Sequence, residues 1–272
     1  MRIMKTTKIM LPRPRKRFGQ HFLTDAHYIA RIVAAIAPQR GETLVEIGPG
    51  PGAITAPLIA ALGHMHVVEI DRDLARTLRE HFAAGQISVH ECDALEFDFA
   101  SLPAPLRVAG NLPYNISTPI LFHVAQFAER IRDCTFMLQK EVVERMVARP
   151  STPAYGRLSV MLQYRFAMKK LFVVPPGAFF PPPKVDSAIV RLIPLDAHRA
   201  RARDEKLFAA IVTAAFGQRR KTLRNTLKPF IGAAELVNIG VDGGLRAENL
   251  GVAEFIRIAD AVVLRGDEDQ KH

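Results

Sequence analysis

The chain of 272 residues holds only two cysteines, Cys92 and Cys134, and they match no metal-ligand spacing. Both lie in apolar runs, so buried thiols in a reducing compartment are expected rather than a disulfide, and no metal is expected. No segment approaches the roughly 20 continuous apolar residues of a membrane span, so no membrane-spanning helix is expected. Repeats and low-complexity tracts are absent too. Acidic residues are comparatively few: 27 Asp and Glu stand against 37 Lys and Arg, a net charge of +10. That imbalance favours a polyanionic partner such as nucleic acid, although a charged surface also serves plain solubility. The first 24 residues contain no acid at all. An organellar leader has that property, but serine is sparse there and Pro12 and Pro14 would break an amphipathic helix. A basic arm over residues 1–17 of a cytoplasmic protein fits better.

What is present suits one large domain, or a medium domain plus a small one, since 49% of residues are hydrophobic. Strand-like runs at 43–47, 66–70, 87–92, 106–109 and 134–139 alternate with helical patterns at 54–62, 74–84 and 118–130. Alternation of this kind predicts a parallel sheet with crossover helices. A proline-rich stretch, 173–184, precedes an apolar run at 187–193 that reads as one arm of a late antiparallel pair at the sheet edge. After Pro194 the pattern is helical, and the polar segment 196–204 suggests a boundary. The division expected is 1–17 basic arm, 18–198 sheet domain and 199–272 small helical domain.

Leu44 to Gly52 reads as a strand running into a glycine-rich loop, with Glu69 about 20 residues on, at the end of the next strand. Glycines at 48, 50 and 52 let backbone approach a nucleoside, and the Glu69 carboxylate, followed by Ile70, can accept both ribose hydroxyls. A dinucleotide site spaces its third glycine differently. Glu46 beside the loop would also repel a pyrophosphate, whereas the sulfonium and ammonium of S-adenosylmethionine tolerate a nearby carboxylate. A purely structural turn is the remaining alternative. At the third strand's end Asp93 can accept from an adenine amine and the Ala94 N–H can donate to the ring, unless Asp93 merely caps a surface turn.

Asn111-Leu112-Pro113-Tyr114 follows the fourth strand, where ligands bind in open α/β sheets. The Asn111 side-chain oxygen and the Leu112 carbonyl can each take one hydrogen of an adenine N6 amine. Pro113 stiffens the turn without adding a donor, and Tyr114 can stack on the base. Alone, the tetrapeptide also makes an ordinary turn. Phe179 and Phe180, beside the proline run, read equally as core or as a second base platform. Arg219, Arg220, Lys221, Arg224 and Lys228 fall at helical spacings, a stripe suited to RNA phosphates or to a solvated face. Residues 13–17 offer a lesser version of the same contact.

With Phe18-Gly19-Gln20-His21-Phe22-Leu23, the glycine loop, Asn111 to Ser117, Phe179 to Ser187 and Phe216 to Asn225, the chain resembles the ribosomal RNA adenine dimethyltransferase family. The resemblance runs from about Arg17 to the last helix. It implies a Rossmann-like S-adenosylmethionine-dependent methyltransferase sheet with a small C-terminal helical domain that binds RNA. It implies dimethylation of N6 on two adjacent adenosines in a 3′-terminal hairpin loop of 16S rRNA in the small ribosomal subunit, and a part in subunit biogenesis. Cofactor contacts carry over to Leu23, Gly48, Glu69, Asp93 and Asn111, with Gln20, His21, Glu46, Gly50, Ile70 and Ala94 beside them. Phe179 carries over as the ring covering the target adenine opposite Tyr114. Position 21 is usually Asn in the family, and His21 there makes cofactor affinity expected to vary between about pH 5.5 and 7.5. The alternative is that His21 packs without titrating. A monomer is expected.

Overall fold

The computed structural model describes residues 20–196 and 199–269. The basic arm, together with Phe18 and Gly19, lies outside the described residues. Among the described residues the chain divides into two compact units, 20–140 with 170–193, and 141–169 with 194–196 and 199–269. The segment 141–169 therefore departs from the sequence expectation, which assigns it to the sheet domain.

The first unit contains β1 (Phe22–Leu23), α1 (Ala26–Ile36), β2 (Thr43–Ile47), α2 (Thr55–Leu62), β3 (Met65–Val68), α3 (Arg72–His81), β4 (Ile87–His90), β5 (Leu106–Asn111), α4 (Ser117–Gln126) and β6 (Ile131–Gln139). In the second unit α5 (Lys140–Met146) and α6 (Arg157–Gln163) follow. β7 (Phe166–Val174) crosses the division, and β8 (Phe179–Phe180) and β9 (Ser187–Pro194) complete the strands. Seven strands form one sheet in the order β4-β3-β2-β5-β6-β9-β7. The pairings from β4 through β6 are parallel, and β9 runs antiparallel to β6. The expected late antiparallel strand is therefore present, but β7, for which the sequence gives no clear strand pattern, takes the edge.

Local chemistry accounts for the elements. Asp25 caps α1 by accepting from the His27 and Tyr28 backbone N–H groups, and Ala37 ends the helix with φ 50°. Asp71 caps α3. Leu44, Val45, Met65, Val67, Leu106 and Val108 are fully or almost fully buried, as strands covered on both faces by helices require. At the amino end of β5 the buried Arg107 binds both Asp133 oxygens, at 2.8 and 2.9 Å, and Glu42 at 2.7 Å. It also donates to the Ile36 and Ala37 carbonyls at the end of α1. Burial alone would raise the Asp133 carboxyl, but hydrogen bonds and charge from Arg107 and Arg191 outweigh it and hold Asp133 below its ordinary value.

In the second unit α5 and α6 join α7 (Glu205–Phe216), α8 (Leu223–Thr226), α9 (Ala233–Asn238) and α10 (Val252–Asp269). Its core includes Val160, Tyr164, Phe208, Leu223, Leu236 and Phe255, with the Tyr164 and Phe208 rings stacked at 4.3 Å. Val160 and Tyr164 thus bury against residues beyond 200, which is why the 141–169 segment groups with them. Among the described residues, no helix is long and apolar enough to cross a membrane.

Candidate active site

The loops at the carboxyl ends of β2, β3, β4 and β5 surround a cavity of about 270 Å³. Gln20, His21, Gly48, Gly50, Glu69, Ile70, Asp93, Ala94, Asn111, Leu112, Pro113 and Tyr114 all line it. Those from Gly48 to Tyr114 arrive there because parallel strands end on the same side and neighbouring loops are tied by backbone bonds, whereas Gln20 and His21 are brought by the segment leading into β1. Gly48 N–H donates to Val68 O at 2.9 Å, Glu69 N–H to His90 O at 3.0 Å, and Leu112 N–H to Met137 O at 3.1 Å.

Glu69 accepts through its carboxylate from Asp71 N–H at 2.9 Å and from Gly50 N–H at 3.3 Å, with the Ile70 backbone beside them. Burial pushes its carboxyl up to about 7 despite those bonds. Gly50 sits at φ 56°, in the left-handed region that favours glycine, and a Cβ there would press on the Phe22 ring at 3.3 Å. Asp93 uses one oxygen to accept from Leu95 N–H at 2.9 Å, the turn-capping role, while still lining the cavity.

Asn111 closes β5, and its side-chain nitrogen donates to the His21 carbonyl at 3.1 Å. The His21 ring stacks on Tyr114 with centroids 5.8 Å apart, and its Nδ1 is 2.8 Å from Pro181 O. Tyr114 also shares a 2.6 Å hydrogen bond with the Ser187 hydroxyl. Burial raises the Tyr114 phenol above its ordinary value, and the Ser187 bond partly opposes this.

Three expected residues are not on the cavity wall. Leu23 is buried in the core cluster that also holds Phe179. Glu46 is only 1% exposed and accepts from Thr55 Oγ1 at 2.7 Å, so its carboxylate is engaged by the start of α2. Burial pushes Glu46 up to about 7, the Thr55 bond opposes this, and the Glu69 charge adds to it. Phe179 is 4% exposed and Phe180 is 54% exposed. Adjacent residues of a two-residue strand point to opposite sides, so the sequence could not say which ring is core. Phe22, Ile47, Leu74, Ile116 and Ile120 form apolar wall; three of them lie inside the sequence motifs, which assign them no role. Phe22 carried a signal, as an aromatic between Gln20-His21 and Leu23.

In the second unit Arg219, Arg220, Lys221, Arg224 and Lys228 are all exposed. They do not form one helical stripe. Gly217 caps α7, Arg219 to Lys221 occupy the following turn, Arg224 lies in the short α8, and Lys228 follows it. Arg219 lies 3.7 Å from Glu248. Among the described residues, no group of three or more His, Cys, Asp or Glu is arranged to hold a metal ion.

Residues 12–263 match the family described as ribosomal RNA adenine dimethylase. The Ribosomal RNA small subunit methyltransferase A of Aromatoleum aromaticum is 61% identical over 253 residues, covering 93% of this chain and 96% of that protein. The protein of the same description from Nitrosospira multiformis is 58% identical over 247 residues, covering 91% and 95%. Among solved structures, the 23S rRNA methyltransferase ErmE superposes with TM-score 0.68 at 27% identity, over 89% of this chain and 99% of its own. A dimethyladenosine transferase from Plasmodium falciparum gives TM-score 0.76 at 23% identity, over 92% and 98%, a likeness of fold. Sheet order, a cavity at the strand tips and a match along nearly the whole length converge: the chain belongs to the ribosomal RNA adenine dimethylase family.

Proposed function

We propose that this chain transfers methyl groups from S-adenosylmethionine to N6 of two adjacent adenosines in the 3′-terminal hairpin loop of 16S rRNA, dimethylating each within the small ribosomal subunit. It acts as a cytoplasmic monomer and contributes to subunit biogenesis. The names of the relatives support the small-subunit RNA substrate. The observation that carries the chemistry is the Asn111 carboxamide. Its nitrogen is committed to the His21 carbonyl, which leaves its oxygen to accept from an amine in the cavity.

The cavity suits the cofactor. Glu69, fixed by backbone donors, has oxygen lone pairs left for ribose hydroxyls, Asp93 and Ala94 sit where an adenine would be read, and Ile70 and Leu74 provide apolar surface. Gln20 and His21 border the same space, and Gly48 and Gly50 keep it clear of side chains. Glu46 contributes a buried acid close to, rather than at, the cavity wall. When bound, S-adenosylmethionine supplies a methyl carbon made electrophilic by its sulfonium.

Asn111 and the Leu112 carbonyl orient N6 for in-line attack, drawing its lone pair out of the ring, and Tyr114 supports the base by stacking. Leu112 is well placed to be rigid, because its own N–H is bonded to β6. No charged general base is required, since the proton leaves after transfer. The five basic residues of the second unit hold RNA phosphates.

The test is incubation of the protein with labelled S-adenosylmethionine and unmethylated small subunits, with large-subunit RNA and DNA in parallel. Modified nucleotides are then mapped and their mass measured. Two dimethylated adenosines in small-subunit RNA are expected. Label confined to large-subunit RNA, as the likeness to ErmE would suggest, rejects the reading, and binding without label points to an assembly factor.

A further inference from the structure

The Tyr114 and Ser187 hydroxyls, 2.6 Å apart, join two segments separated by 73 residues. Ser187 is fully buried and opens β9, opposite Gln139 at the end of β6. β6 also holds the backbone beside Tyr114, because Asn111 pairs with Met137 and Leu112 N–H donates to Met137 O. The loop is therefore attached to β6 through its main chain, while the tip of Tyr114 is attached separately, to β9.

That second attachment has a geometric consequence. A tyrosine ring is steered by two torsions, and holding its para oxygen restrains the swing of the whole ring about the Cα–Cβ bond. Against Tyr114 lies the His21 ring, tilted by 25°. His21 is itself tied through Nδ1 to Pro181 O, in the same proline-rich segment that leads into β9. Small rotations of an unrestrained Tyr114 would move a base stacked on it relative to the Asn111 oxygen, and misplacement of about 1 Å is enough to cost on the order of 100-fold in rate.

We propose that Ser187 is a positioning residue for methyl transfer, which acts by holding the Tyr114 hydroxyl and so setting the tilt of the ring that supports the target base. The inference rests on the function proposed above. It gives a task to Ser187, the last residue of the motif that begins at Phe179 and the first of β9.

The experiment is a double-mutant cycle in methylation of unmethylated small subunits, with kcat and KM for the particle measured separately. Ser187→Ala and Tyr114→Phe each remove the same bond and are expected to lower kcat about tenfold with KM little changed. The double variant is expected to lose no more than either single one, and Ser187→Thr to restore most of kcat. Full additivity, or wild-type kcat in Ser187→Ala, overturns the proposal. If Ser187→Ala does not fold, Tyr114→Phe alone decides it, and wild-type kcat there overturns it. Tyr114→Ala separates the two levels. If it leaves methylation intact, the base-platform reading fails; if it abolishes methylation while Ser187→Ala is silent, only the role of Ser187 fails.

Discussion

The Asn111 side-chain nitrogen donates to the backbone carbonyl of His21, 90 residues earlier in the chain. An amide so anchored cannot rotate freely, and its oxygen is presented as a fixed acceptor. Preorganised dipoles of this kind are worth most when charge develops at the group they face. Asn111→Ala should therefore lower turnover by roughly 100-fold or more while RNA affinity stays near wild type. Turnover, RNA binding and S-adenosylmethionine binding measured separately check this, and near-normal methylation would refute the role.

Glu69 and Glu46 are both pushed up to about 7 by burial, and Glu46 also by the charge of Glu69. A ligand that needs the carboxylate charged binds better as pH rises, so S-adenosylmethionine affinity should increase through about pH 7. Glu69→Gln should flatten that rise, and His21→Asn measured beside it tests the dependence on His21 expected from the sequence. Calorimetry at several pH values distinguishes the two.

The same carboxyls act on stability with the opposite sign. Their folded-state values lie above the ordinary 4.5, so between 4.5 and about 7 the native protein holds protons that the unfolded chain has released. Stability of the ligand-free protein from these groups is fully present below 4.5 and falls as pH rises to about 7. Denaturant melts should show that fall, and Glu46→Gln should reduce it.

Arg220 and Arg224 are exposed on a turn and on the short α8. If both bind RNA phosphates, Arg220→Gln with Arg224→Gln should reduce the slope of log affinity against log salt by about 2, roughly one for each phosphate no longer neutralised. An unchanged slope removes the pair from the interface.

Gly110 permits no side chain. A Cβ there would come 2.3 Å from the Ile47 carbonyl oxygen of the paired strand, a backbone atom that cannot swing away. Gly110→Ala should force β2 and β5 apart next to Asn111 and cost on the order of 1–3 kcal/mol, with methylation impaired more than stability. Gly85→Ala, where nothing lies within 4 Å, is the control. Equal behaviour of the two variants would refute the close-approach argument.

The parallel strands were legible because buried apolar runs alternated with helical patterns, and the strand tips then located most of the cavity. β7 was not legible: Lys169 and Lys170 interrupt its apolar character, as suits an edge strand whose free side faces solvent. The basic residues at 219–228 kept helical spacing in sequence, but Gly217 ends the helix before them, and spacing alone cannot reveal that stop. Leu23 and Glu46 belong to motifs that reach the cavity, yet motif membership does not fix which way a side chain turns. Glu46 turns to Thr55.

In the small ribbon of β1 and β8, Phe22 pairs with Phe180 and Leu23 with Phe179. The segment that brings Gln20 and His21 to the cavity is thus fastened by residues emerging from synthesis more than 150 positions later. A nascent chain that has exposed only the glycine loop and the Asn111 turn has no partner strand for this flap. Gln20 and His21 should therefore be fully fastened at the cavity only once Phe179 and Phe180 have been made, and a fragment ending before Phe179 should bind S-adenosylmethionine more weakly than the whole chain.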